Sequence, residues 1–94
     1  MREKYGGIGE RHLELLGVLA NLVGNDPAAV AQMYAAAQRM NLNTVGKQAD
    51  RAEFVGLVRD LEGAGCVEVR GADLGASFGM LSVTEEGYQQ LKGA

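Results

Sequence analysis

The sequence predicts a small, mainly α domain with one β-hairpin, and three observations lead there. The chain has 94 residues, 47% hydrophobic and 22% charged, enough for one core and too few for two. Apolar residues recur at helical spacing in three successive segments. A single late stretch, Cys66–Arg70, instead alternates and is rich in β-branched residues. Residues 1–94 therefore read as one domain, with residues 1–9 a flexible lead-in through Gly6, Gly7 and Gly9.

The first helix begins at Glu10, where Leu15, Leu16, Leu19, Leu22 and Val23 form an apolar stripe. His12 lies on the same stripe one turn earlier, and Gly24-Asn25 supply a left-handed stop. Asp26 then reads as an N-cap and Pro27 as the first helical position of a second helix. That helix carries Val30, Met33, Tyr34, Ala37 and Met40 or Asn41 on one face, with Ala28, Ala29, Ala31, Ala35 and Ala36 adding helix propensity. Met33 and Met40 are expected in the core and Tyr34 at its rim. Asn41–Ala49 is a polar connection anchored by Leu42 and Val45.

Asp50 and Glu53 have the spacing of a capping box. Phe54, Leu57, Val58 and Leu61 follow at i, i+3, i+4 and i+7, the clearest amphipathic signal in the chain. Gly63-Ala64-Gly65 ends this third helix. Cys66–Arg70 is a strand, Gly71–Gly79 a hairpin tip, and Met80–Val83 the returning strand. Thr84 caps a last short helix, with Glu85 and Glu86 at its positive end and Tyr88 and Leu91 docking it. Helix, helix, helix, strand, wing, strand, helix is the order of a winged helix.

Catalytic chemistry finds few residues to use. Gly6-Gly7-Ile8-Gly9 follows no strand, so it lacks the context of a dinucleotide loop, and no P-loop is present. One Cys and one His cannot supply a zinc site. His12 and Cys66 are residue types of a base and a nucleophile; their places at the start of an apolar stripe and of a buried strand point to core roles. Glu85-Glu86 reads as a helix start. The expectation is a protein that is not an enzyme, with no cofactor, metal or small-molecule substrate.

No apolar run approaches the ~20 residues of a membrane span, and the first residues lack a signal peptide's apolar segment. A lone Cys66 suits a reducing compartment, so the expected location is nuclear in a eukaryote and cytoplasmic otherwise.

The third helix is the functional question. Its exposed set would be Arg51, Ala52, Val55, Arg59 and Glu62, with Asp60 near. In a DNA-binding winged helix such a face enters the major groove. Otherwise it is a solvated face on which Arg59 pairs with Asp60 or Glu62. Lys47 before the helix and Arg70 at the wing base are further phosphate candidates. Against DNA stands charge: the chain is −3 overall, and from Asn41 to Leu81 four cations meet six anions. The wing tip, Asp73–Phe78, has no cation. Its apolar Leu74 and Phe78 either fold onto the core or contact another protein.

Gln32–Ala37, the long connection, and Arg51–Arg70 (RAEFVGLVRDLEGAGCVEVR) are similar to the C-terminal winged-helix domain of replication initiators. These are the origin recognition complex large subunit and the cell-division-cycle licensing ATPases of archaea and eukaryotes. The likeness spans Leu13 to Val83. It implies a non-catalytic module that helps hold origin DNA and docks other initiator subunits, ATP hydrolysis belonging to a separate AAA+ module. On that resemblance Lys47, Arg51, Arg59 and Arg70 would meet double-stranded DNA, weakly for this domain alone, and Leu74 and Phe78 would meet protein. This sequence is less basic than the family's DNA-contacting members. The Phe54–Gly65 segment and Val83–Gly87 also resemble MarR-type regulators, so a small winged-helix transcription regulator is the alternative. A winged helix used only for protein interaction is another.

Overall fold

A computed structural model describes residues 8–26, 28–73 and 78–93, with backbone alone at 72, 73 and 78. Among these, four helices surround a three-stranded antiparallel sheet. In chain order they are α1 (Glu10–Val23), β1 (Ala31–Gln32), α2 (Met33–Arg39), α3 (Gln48–Gly63), β2 (Val67–Asp73), β3 (Phe78–Val83) and α4 (Glu85–Gly93). The strand order is β1-β3-β2. Val69 of β2 and Ala31 of β1 both pair with Leu81, which lies in the middle strand.

α1 and α3 form where their apolar spacing requires. Leu15, Leu16 and Leu19 of α1 and Phe54, Val58 and Leu61 of α3 are fully buried, together with Met33 and Leu81. α1 ends as expected, Gly24 taking a left-handed φ of 64°. Its start is closed by His12, whose Nδ1 accepts the Gly9 N–H at 3.0 Å, the role Glu plays in a capping box. Thr84 caps α4 as its position predicts: its hydroxyl accepts from Gly87 N–H at 3.1 Å and donates to the Gly65 carbonyl at 2.6 Å. Tyr88 and Leu91 pack against the core.

The second helix is shorter than its alanines suggest. Asp26 accepts from Ala28 N–H through its side chain at 2.9 Å and from Ala29 N–H through its carbonyl at 3.0 Å, making one turn that does not propagate. Ala31 and Gln32 are extended and pair with Leu81 and Met80, so sheet pairing overrides local propensity. Val30 is consequently exposed, while Met33 and Met40 are buried.

In the connection Leu42 is buried, but Val45 is 63% exposed and Thr44 is buried in its place. α3 starts at Gln48, two residues before Asp50, and Asp50 and Glu53 form no capping box. The Asp50 carboxylate reaches back to the Asn43 N–H at 2.8 Å, closing the loop onto the helix. Both hairpin strands run further toward the tip than the alternation indicated, with a register shift between Arg70 and Asp73. Leu74, the Phe78 side chain, Pro27 and residues 1–7 of the lead-in lie outside the described residues.

Candidate nucleic-acid interface

At about 100° per residue, Phe54, Leu57, Val58 and Leu61 cover one side of α3. Gln48, Ala52, Val55 and Arg59 fall on the opposite side. Arg51 and Glu62 leave on the flank beside Val58, and Glu53 and Asp60 on the flank beside Leu57. The two flanks carry different charge, and the second one faces α1.

α1 takes up both carboxylates there. Arg11 donates from Nε and Nη2 to Glu53 Oε2 at 3.0 and 2.8 Å, and from Nη1 to Glu14 at 2.8 Å. The bond to Glu53 and then that to Glu14 push the Arg11 pKa further above its ordinary value. His12 Nε2 lies 2.8 Å from Asp60 Oδ2. Because Nδ1 already accepts from Gly9, the neutral ring carries its proton on Nε2 and donates it to Asp60. The expected pairing of Arg59 with Asp60 or Glu62 is not made: His12 holds Asp60. Arg51 and Arg59 form no ion pair among the described residues.

Lys47 is exposed at the start of α3, which has no side-chain cap there. Arg51 and Arg59 lie on the sides of α3 away from α1, where Glu62 is the one acidic residue of that helix, and Lys47 is exposed just before its first turn. Ala52 is exposed and Gly56 half-buried on this side, and the half-buried Val55 stands between Arg51 and Arg59, so a partner would meet two small residues and one apolar one. Arg70 is less available than the sequence suggested, because its Nη2 meets Glu68 of the same strand at 3.2 Å.

The other sequence candidates are not brought together. His12 is engaged at both ring nitrogens, and Cys66 is buried, its thiol pKa raised by burial and then by the Glu86 charge. No hydrogen bond joins the two. Glu86 is exposed and accepts from Gln90 at 2.9 Å. Among the described residues no three His, Cys, Asp or Glu are grouped to hold a metal, and no helix is long and apolar enough to cross a membrane.

Arg11 is the residue that sequence reasoning missed. Its partner Glu53 is 42 positions away, and neither residue carries a local signal of the pairing. Tyr34 is 42% exposed, as its rim position implied, and separates two shallow clefts. One of about 280 Å³ is lined by Gln38, Asn41 and Asn43; the other, of about 380 Å³, by Gln32, Gly79 and Met80. No protein-family model, curated protein or solved structure matches this chain.

Proposed function

We propose that the chain is a non-catalytic winged-helix module of a DNA-replication initiator or licensing protein. It lays α3 on duplex DNA and docks within the initiator and helicase-loading assembly. The β1-β3-β2 sheet order supports the winged-helix reading, because a short strand between the first two helices ties the hairpin to the helical body. The resemblance of Gln32–Ala37 and Arg51–Arg70 supports the initiator reading.

The observation that carries DNA contact is the division of charge around α3. The sequence places four carboxylates on α3, Asp50, Glu53, Asp60 and Glu62, and Asp50 is engaged by the Asn43 N–H. In the fold Glu53 and Asp60 bond to α1, leaving Lys47, Arg51 and Arg59 against Glu62. A helix of this kind fits the major groove, roughly 12 Å wide. Small Ala52 and Gly56 let it approach, and the cations meet phosphates on either side. The mechanism is positioning: bonds are neither made nor broken.

Fluorescence anisotropy with a labelled duplex tests this. Binding is expected at low salt and should weaken steeply toward physiological salt, because releasing counterions from the duplex gains less as bulk salt rises. Arg51→Ala and Arg59→Ala should each weaken it, and Glu62→Gln should strengthen it. Absence of binding even at low salt would refute DNA contact. A protein-docking role would then stand, which the exposed Val30 and Tyr34 favour.

A further inference from the structure

Resting on that DNA reading, we propose that Arg11 of α1 is a positioning residue for the interface: it sets duplex affinity by holding the Glu53 carboxylate away from the DNA-facing side of α3. Arg11 does this without touching DNA. Two of its nitrogens converge on Glu53 Oε2 while the third binds Glu14, so the guanidinium is fixed across the α1–α3 boundary. The neighbouring contact, His12 to Asp60 at 2.8 Å, anchors the second carboxylate of the same flank. Together they turn a helix of mixed charge into one whose acidic flank is bonded to α1, though still exposed, and whose arginines stay unpaired among the described residues.

The distances make Glu53 matter. A helix with its side chains is about 10–12 Å across, and charges remain unscreened over about 10 Å at 0.1 M salt. A carboxylate on α3 therefore acts on a phosphate lying against that helix even from the far flank. Its pairing with Arg11 cancels most of that repulsion. Removing Arg11 releases a negative charge that is free to swing toward the groove. The pair is 42% and 43% exposed and contributes little to stability, so affinity and folding separate.

The test is a charge-controlled mutant series read by anisotropy across a salt titration, with thermal melts alongside. Arg11→Ala should weaken binding about fivefold at low salt and leave the melting temperature nearly unchanged. Adding Glu53→Gln should restore affinity to within about twofold of the parent chain. Adding Glu86→Gln, which restores the same net charge from α4, should not, because α4 packs on α1 and β3. Rescue by Glu86→Gln as well would overturn the proposal in favour of a simple net-charge effect. Rescue by neither, with a shallower salt slope, would overturn it in favour of direct phosphate contact by Arg11. A parent chain that binds no duplex at low salt overturns the DNA reading and this inference with it. A parent chain that binds through Arg51 and Arg59 while Arg11→Ala is silent overturns this inference alone.

Discussion

At Gly87 a methyl group has nowhere to go. A Cβ there would collide with the Cys66 carbonyl oxygen and lie 2.8 Å from Val83 Cγ1, and the first of these is backbone that cannot turn aside. Gly87→Ala is therefore expected to destabilise the fold by about 2–4 kcal/mol, seen as a lower urea midpoint. An unchanged midpoint would mean that α4 stands further from the Cys66 carbonyl than this contact requires. Thr44 presents the reverse case. It is buried, and its Oγ1 has no hydrogen-bond partner among the described residues, so the hydroxyl loses its hydration on folding with no protein group there to replace it. Thr44→Val keeps the shape and removes the orphan group. It should raise stability by about 1 kcal/mol, a gain of about 4–8 °C in melting temperature for a domain this size. A loss of stability would show that the hydroxyl is satisfied by water.

Among the elements, α3 depends on what precedes it. Asp50 accepts the Asn43 N–H at 2.8 Å, and the Asn43 side chain accepts the Gly46 N–H at 2.8 Å, so two short bonds fix the turn that delivers Lys47 to the helix start. Asp50→Ala should cost about 1–2 kcal/mol and speed amide exchange at Asn43 relative to the α3 interior; equal exchange would mean the loop is held by Leu42 alone. α1 and α3 were legible because four or more apolar residues repeat at one period and all face one core. β1 was not. It is two residues long, its alanine favours helix, and its partners Leu81 and Met80 lie about fifty positions away. The Asp50–Glu53 spacing misled for a related reason: each carboxylate found a partner outside its own helix, and a sequence window shows only the helix.

For the molecule as a whole, the radius of gyration of 12.0 Å sits close to the roughly 12.4 Å expected of a compact chain this long. That compactness is why the charge pattern around α3 was only half legible. Arg51, Arg59 and Lys47 stand out in the sequence, but which carboxylates stand beside them depends on where Glu53 and Asp60 point. Only the packing of α1 on α3 decides that. Compactness also places two ionisable groups where α4 closes on the body. Burial and then Glu86 raise the Cys66 thiol above its ordinary value of 9.0. Burial and then Asp26 raise the Tyr88 hydroxyl above 10.0. Both groups are acids held neutral by the fold, so their contribution is complete below those ordinary values. It is lost as pH rises through the higher folded values. Stability should accordingly be insensitive to these two groups from neutrality to about pH 9 and decline above it. Tyr88→Phe and Cys66→Ala should each flatten the decline, the first without loss at neutral pH because the Tyr88 hydroxyl has no partner among the described residues. Thermal melts from pH 7 to 10.5 measure this. An equally steep decline in the double variant would assign alkaline unfolding to the charge balance of the surface instead, and would locate the weak point of the fold away from the α4 junction.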